Sequence, residues 1–129
     1  VTDIINGKEC VNLESFLVLP QLRPLVFGLM TLVEGEQLGR VMITRLKPGG
    51  KIHPHSDAAS EVGSYSSYYT RYHTVLSGHE GCMFRADDEI VTMKTGEVWW
   101  FNHNTQHEVK NNSLEDRIHL ITDIRTFKC

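Results

Sequence analysis

The feature that most constrains the fold of this chain is a series of short, β-branched and aromatic segments separated by turn residues. Glycine- and proline-containing turns such as Lys47-Pro48-Gly49-Gly50 and Ser77-Gly78 close them. Many short strands with few plausible helices predict an all-β sandwich or barrel. The candidate strands are Leu25–Val33, Gly39–Leu46, Ile52–His55, Tyr68–Leu76, Gly81–Arg85, Ile90–Met93, Val98–Phe101, His107–Lys110 and Arg117–Ile124.

The length of 129 residues fits a single domain, which we expect to span residues 1–129. Residues 1–23 are predicted to be an extended or partly helical lead-in, and residues 24–125 to form the barrel. Residues 58–67 are small and polar, and this predicted loop is the best candidate for a mobile lid.

Composition argues against several classes of partner. The formal net charge is -3 and no Lys/Arg cluster forms a basic stripe, so we expect no nucleic-acid partner. No apolar run approaches the length of a membrane span, and no signal peptide is evident, so we expect no membrane association. The three cysteines form no C-x-x-C motif, which favours a reducing, cytoplasmic location. The oligomeric state is left open.

Two of the candidate strands carry an unusual polar face. Because alternate residues of a strand point to the same side, each strand has one face rich in cationic and titratable groups. Either face alone is typical of a solvated surface, but two in one barrel predict a polar lumen for a small anionic ligand. The two faces consist of Tyr69, Arg71, His73 and Val75 on one strand, and Arg117, His119, Ile121 and Asp123 on the other.

A candidate metal site follows the Pro-Gly-Gly turn. His55 and Asp57 lie two residues apart, so they point the same way on an extended segment, and His107 follows His55 by 52 residues. Two histidines and one carboxylate can hold Fe(II) or Mn(II) on one face and leave the other coordination positions open. His-x-Asp alone is a weak signal, and His53 is an alternative ligand.

Two further features suggest a carboxylate-binding site beside the metal. Arg117 follows His107 by ten residues, and its guanidinium can bind a carboxylate through two parallel hydrogen bonds. Arg71 and His73 project to the same side and could hold the other end of such a ligand. The alternatives are a surface Arg117 paired with Glu115-Asp116, an Arg71 paired with an acid, and a structural barrel histidine at position 73.

Taken in order, these motifs resemble the aspartyl/asparaginyl β-hydroxylase family of 2-oxoglutarate-dependent oxygenases. The resemblance spans Thr44–Arg125, about two thirds of the chain, and the ordered set is far more specific than any one motif. It implies a double-stranded β-helix, the jelly-roll fold of cupins. The residues that carry it are Arg45 to Asp57 (RLKPGGKIHPHSD), Arg71 to His73 (RYH), Gly96 to Asn102 (GEVWWFN), Gln106 to Asn111 (QHEVKN) and Arg117 to Asp123 (RIHLITD).

The resemblance also implies roles for individual residues. It makes His55, Asp57 and His107 the iron ligands at the catalytic centre. It makes Arg117, helped by the Thr44 hydroxyl, the anchor of the distal carboxylate of 2-oxoglutarate. Arg71 and His73 would then lie near the metal-bound end of this cosubstrate. These seven residues are the predicted site.

The implied reaction consumes 2-oxoglutarate and O2 with Fe(II) and releases succinate and CO2. The hydroxylated substrate would be an Asp or Asn side chain in a peptide, or a free amino acid such as proline. The chain departs from the family at Asn102, where an acidic residue is frequent, and His103 beside it is unusual. The alternative function is a metal-binding cupin that does not use 2-oxoglutarate, such as an isomerase, a thiol dioxygenase or a ligand-binding module.

Other residues near these motifs have weaker interpretations. His119 projects with Arg117, and pocket lining and a structural role are equally plausible. Asp123 is expected to form an ion pair at a strand end, and His103 to lie in a loop at the rim of the site. Trp99 and Phe101 are expected in the core.

Overall fold

The computed structural model describes residues 19–56 and 69–126. This part of the chain contains one helix and eight strands. The helix is α1 (Leu22–Leu32), and the strands are β1 (Gly35–Leu46), β2 (Lys51–His55), β3 (Thr70–Ser77), β4 (Cys82–Ala86), β5 (Glu89–Val91), β6 (Val98–Trp100), β7 (His107–Asn111) and β8 (Arg117–Thr126). The helix is not long and apolar enough to cross a membrane, and the described residues contain no other candidate.

The strands form two four-stranded sheets in which every pairing is antiparallel. One sheet has the order β1-β8-β3-β6 and the other the order β2-β7-β4-β5. Apart from the β4–β5 hairpin, neighbouring strands in each sheet are distant in sequence, as in a jelly roll. The predicted all-β, double-stranded β-helix class is confirmed.

The prediction of a strand at Leu25–Val33 is wrong, because this segment belongs to α1. Its buried residues, Val26 and Leu29, are three apart and so lie on one face of a helix. Pro24, which suggested a break before the barrel, lies in the first helical turn, where its missing N–H removes no hydrogen bond. The helix also spans the predicted boundary between the lead-in (1–23) and the barrel (24–125).

The other predicted strands are present, with ends that differ by a few residues. The first begins earlier than predicted, at Gly35, and contains two register shifts against β8. Gly35 fits there because an added Cβ would lie 2.6 Å from Cγ2 of Ile124. Tyr68 and the predicted lid at 58–67 lie outside the described residues.

The hydrophobic core between the two sheets occupies one end of their interface. Val75 of β3 packs there with Phe84 of β4, Val109 of β7 and Met93. The opposite face of β8 is also buried, since Leu120 and Ile124 are fully inaccessible. The sheet containing β8 is therefore covered on both sides, and its polar side chains between the sheets are withdrawn from bulk water.

Asn111, at the end of β7, connects three parts of the fold. Its side-chain amide nitrogen donates to the backbone carbonyls of Leu46 (2.9 Å) and Glu115 (2.8 Å). Its side-chain oxygen accepts from the backbone N–H (3.0 Å) and hydroxyl (2.6 Å) of Ser113. The side chain is fully buried, so these bonds replace water and fix the turn that leads into β8.

Replacing Asn111 by Leu should destabilise the protein strongly. The substitution leaves two backbone carbonyls and the Ser113 hydroxyl without their buried partner, at about 1–3 kcal/mol for each unsatisfied group. We expect a loss of about 3 kcal/mol or more in the free energy of unfolding, measured by urea denaturation. Asn112→Leu, on the exposed neighbouring residue, is the control, and a similar small effect of both substitutions would contradict the proposed role of Asn111.

Candidate metal and anion site

The structure places two of the predicted metal ligands side by side. His55 of β2 is the register partner of His107 of β7, and their ring centroids are 4.3 Å apart. His107 is buried, whereas His55 is exposed at the end of its strand. The pair therefore lies at the boundary between solvent and the space between the two sheets.

Backbone carbonyls fix which nitrogen of each ring carries the proton. Nδ1 of His55 lies 2.8 Å from the carbonyl oxygen of His53, and Nδ1 of His107 lies 3.0 Å from that of Thr105. A carbonyl oxygen can only accept, so each Nδ1 donates. A neutral imidazole that donates from Nδ1 carries its lone pair on Nε2, which is the form that ligates metals.

The third predicted ligand, Asp57, lies outside the described residues. Within residues 19–56 and 69–126, no three His, Cys, Asp or Glu side chains are grouped so that they could hold a metal ion. His53, the alternative ligand, has an exposed side chain whose charge acts on Glu108. Glu108 lies on the less buried face of β7, opposite His107, so the structure favours His55 over His53 as the partner of His107.

Aromatic rings lead from the histidine pair into the interior. The ring of Phe101 lies 4.9 Å from His107 and 5.2 Å from His73 on the opposite sheet. The ring of His103 lies 4.5 Å from that of Phe101 and 6.2 Å from that of His107, in agreement with its predicted position at the rim. Phe101 therefore belongs to the wall of the site, although its sequence context predicted only a core residue.

His73 of β3 and His119 of β8 form a buried imidazole pair. Their Nδ1 atoms are 3.1 Å apart, and their relative exposures are 8% and 0%. Within the described part of the chain, neither Nε2 atom has a hydrogen-bond partner. Two buried ring nitrogens are thus left for a ligand, because such atoms are costly to leave unsatisfied.

Burial keeps both of these imidazoles neutral. Together with the charge of Arg117, it lowers the pKa of His73 to about 2 and the pKa of His119 to about 3. The neighbouring His119 also lowers the pKa of His73, because two adjacent cations would repel. The pair is therefore uncharged at neutral pH.

Arg117, at the start of β8, is a buried cation. Its relative exposure is 5%, and burial lowers the pKa of its guanidinium to about 10. The two acids that could pair with a surface arginine are occupied, since Glu115 contacts His79 (2.8 Å) and Asp116 contacts Arg45 (3.0 Å). In the described ranges, no ion pair or side-chain hydrogen bond reaches Arg117.

Arg71 is held by an acid on the neighbouring strand. Its Nε and Nη2 donate to the two carboxylate oxygens of Asp123, at 2.7 and 2.9 Å. Asp123 is almost completely buried, and the two residues face each other in the β3–β8 register. This pairing is the alternative anticipated for both residues, and it fixes the orientation of Arg71 at the end of the lumen beyond His73.

The polar faces predicted from strand alternation are therefore buried, and we call the region that they line the lumen. Thr44, the predicted helper of Arg117, is half-buried and is the register partner of His119. It lies two residues before Leu46, the register partner of Arg117. Of the seven predicted residues, six lie on β1, β2, β3, β7 and β8 around the space between the sheets. The sequence left the role of His119 undecided. The signal that pointed to a place in the site was its position two residues after Arg117, on the same face of the strand.

Comparison with solved structures defines the class of protein. The chain is similar to a predicted oxalate decarboxylase from Thermotoga maritima, with 17% identity over 76% of this chain and 72% of that chain and a TM-score of 0.51. It is also similar to a cupin protein from Bacteroides fragilis, with 16% identity over 69% of this chain and 67% of that chain and a TM-score of 0.51. These similarities show a cupin-like double-stranded β-helix.

Comparison with family models is more specific. Residues 14–126 match the model of the aspartyl/asparaginyl β-hydroxylase family, and the chain belongs to that family. The resemblance inferred from the sequence motifs is confirmed. Fold and family together define a cupin-type hydroxylase.

The neutral, buried histidines predict a pH-dependent stability. Unfolding restores ordinary pKa values near 6.5, so the unfolded chain binds more protons than the folded chain as the pH falls below that value. His73 and His119 should therefore lower the free energy of unfolding by about 2–3 kcal/mol between pH 7.5 and 5.5. Urea titrations at the two pH values measure this, and the His73→Leu/His119→Leu variant should show a much smaller difference. An equal pH dependence in both proteins would contradict the assignment.

Proposed function

We propose that this chain is an Fe(II)- and 2-oxoglutarate-dependent dioxygenase that hydroxylates an amino-acid side chain. In the overall reaction, substrate, 2-oxoglutarate and O2 give hydroxylated substrate, succinate and CO2. The observation that carries the proposal is the buried Arg117 guanidinium, which has no acidic partner in the described part of the chain. A buried cation without a counter-charge is costly, so it indicates an anionic ligand.

The residues of the lumen fit 2-oxoglutarate. This cosubstrate has a carboxylate at each end, and Arg117 offers the two parallel N–H donors that a carboxylate accepts. His73 and His119 add two buried Nε2 atoms that lack partners in the described ranges. Arg71, fixed by Asp123, lies on the same face of the sheet, two residues before His73.

The histidine pair fits Fe(II). His55 and His107 lie against each other and donate from Nδ1 to backbone carbonyls, which leaves Nε2 as the ligating atom of each ring. Asp57 would complete two histidines and one carboxylate, the ligand set typical of iron oxygenases. When bound, Fe(II) would supply the activation of O2 by oxidative decarboxylation of 2-oxoglutarate.

The protein's own contribution is to bind, orient and exclude water. Arg117 would bind the distal carboxylate, with the Thr44 hydroxyl on the adjacent strand as a second contact. Phe101 and Phe84 pack at 4.6 Å beside His107 and form an apolar wall that keeps bulk water from the interior side of the metal pair. Such a wall protects reactive species from side reactions with solvent.

The proposed substrate is an Asp or Asn side chain in a peptide, or a free amino acid such as proline. The exposed side of His55 leaves the metal pair accessible at the mouth of the barrel, where a substrate of either kind could approach. A cytoplasmic location and the absence of nucleic-acid and membrane partners remain predictions from composition.

An anaerobic titration tests the proposal. Fe(II) and 2-oxoglutarate are added to the metal-free protein while the weak visible metal-to-ligand charge-transfer absorption is followed. We expect the absorption to appear only when both are present. The loaded protein is then exposed to O2 with a panel of peptides and free amino acids, and succinate formation and the gain of one oxygen atom are measured by mass spectrometry.

The alternative is a metal-binding cupin that does not use 2-oxoglutarate. It predicts metal binding without the visible absorption and without stabilisation by 2-oxoglutarate. That result would reject the proposed dioxygenase and leave the isomerase, thiol dioxygenase and ligand-binding functions to be tested.

A further inference from the structure

We infer that His119 is a positioning residue, which holds His73 in the tautomer that donates a hydrogen bond from Nε2 to a carboxylate of the cosubstrate. This inference deepens the proposed function and rests on it. It starts from the contact between the two Nδ1 atoms, which are 3.1 Å apart on two buried side chains.

The contact fixes the two rings in opposite protonation states. In a hydrogen bond between two neutral imidazoles, one Nδ1 carries the proton and the other carries the lone pair. The ring that accepts at Nδ1 must therefore carry its own proton on Nε2. The ring that donates from Nδ1 has its lone pair on Nε2.

An anionic ligand selects one of the two arrangements. A carboxylate oxygen accepts hydrogen bonds and is repelled by a lone pair, so the ring that faces it must present N–H. His73 is the ring nearer the metal pair, with Phe101 at 5.2 Å and His103 at 6.5 Å. His73 must therefore donate from Nε2, and His119 must donate from Nδ1 to the lone pair on His73.

The arrangement supplies a donor without a second buried charge. A protonated His73 would also donate, but burial and the charge of Arg117 hold its pKa near 2. The charged and titratable groups that face the pair are Arg117, Arg71, Asp123 and His103, and Asp123 is bound to Arg71. The hydrogen bond from neutral His119 to neutral His73 therefore provides an oriented N–H donor at a position where a second cation would be too costly.

The alternative is that His119 merely fills space. Its ring packs edge-on against His73, with centroids 5.3 Å apart and an interplanar angle of 80°, and a leucine could occupy much of the same volume. The two interpretations differ in the proton position. Free neutral histidine favours the form protonated at Nε2, so protonation of His119 at Nδ1 would require a specific partner.

Two-bond 1H–15N correlation spectra of the protein saturated with diamagnetic Zn(II) and 2-oxoglutarate, with 15N-labelled histidine, test the inference without any catalytic reaction. We expect Nδ1 of His119 and Nε2 of His73 to be protonated in the wild-type protein. In His73→Phe, which removes the acceptor, His119 should return to the form protonated at Nε2. Protonation of His119 at Nε2 in the wild type, or an unchanged tautomer in His73→Phe, would overturn the inference.

Affinity for 2-oxoglutarate provides the second readout. Calorimetric titration of the Mn(II)-loaded protein under argon should show about 10–100-fold weaker binding in His119→Leu, the range seen when an orienting partner is lost. His119→Asn can still donate near the position of Nδ1 and should recover most of the affinity. Leu120→Val, on the same strand with its side chain on the other face, is the control for packing.

The outcomes separate this inference from the proposed function. Wild-type protein that binds no 2-oxoglutarate would refute the proposed function, and with it the carboxylate partner assigned to His73. Wild-type protein that binds 2-oxoglutarate with equal affinity in His119→Leu would overturn the role of His119 alone. Loss of affinity in both His119→Leu and Leu120→Val, without rescue by His119→Asn, would assign His119 to packing.

Discussion

Replacing His107 by alanine should abolish metal-dependent hydroxylation. His107 is the buried member of the histidine pair, and its ring is fixed on two sides, by the carbonyl of Thr105 and by the Phe101 ring. Loss of a group that only orients a metal ligand costs about 10–100-fold in affinity or activity, so loss of a ligand itself should exceed about 100-fold. Fe(II) affinity and succinate formation are the two measurements.

His53→Ala is the matched control for this experiment. It also removes an imidazole close to the metal pair, but His53 is exposed and contributes to His55 only through its backbone carbonyl, which the substitution retains. We expect nearly normal Fe(II) affinity in His53→Ala. Strong loss in this variant, with near-normal affinity in His107→Ala, would show that the ligands have been assigned to the wrong histidines.

The sequence was sufficient to predict the barrel because period-two alternation and turn residues determine strands locally. The strand ending at Leu46 and the strand beginning at Arg117 were both recognisable from β-branched residues and from the neighbouring turn signals. The segment containing α1 was misread because a short apolar run is equally compatible with a buried helix. Its burial at Val26 and Leu29 depends on the sheet that lies beneath it, which local sequence does not report.

The candidate site was predictable as a set of residues, but not as a network. Alternation placed Arg71 and His73 on one face and Asp123 and His119 on another, and it suggested that both faces line a lumen. Which side chains pair across the strands depends on register. The β3–β8 register places Arg71 opposite Asp123, and the resulting contact was only one of several alternatives in the sequence.

The contacts of Asn111 show a different limit of prediction from sequence. The residue was recognisable as part of a motif, but its side chain links the carbonyl of Leu46, at the end of β1, to that of Glu115, in the turn before β8. Such a link depends on how the ends of three strands meet. Tertiary geometry of this kind cannot be derived from spacing along one chain, even where the strands themselves are predicted correctly.

Arg117→Met should have opposite effects on stability and on ligand binding. In the ligand-free protein, the guanidinium is buried without an ion pair in the described part of the chain. Replacing such a buried charge by an apolar group of similar volume often stabilises the folded state. We therefore expect the substitution to raise the free energy of unfolding by about 1–2 kcal/mol. It should weaken 2-oxoglutarate binding by about 2–5 kcal/mol, because it removes the charged partner of a buried carboxylate.

The two effects together predict that Arg117→Met is more stable than the wild type without 2-oxoglutarate and less stable than the wild type with it. At a ligand concentration of about 100 times the wild-type Kd, the wild type should gain about 2.7 kcal/mol, whereas Arg117→Met should gain less than about 1 kcal/mol. Urea unfolding of the metal-loaded proteins under argon, with and without 2-oxoglutarate, measures all four values. Arg85→Met is the control, because Arg85 is a partly exposed arginine paired with Glu108 at 2.9 Å, and its loss should leave the ligand effect intact. If Arg117→Met instead destabilises the ligand-free protein and still responds fully to 2-oxoglutarate, then Arg117 supports the fold and does not bind the cosubstrate.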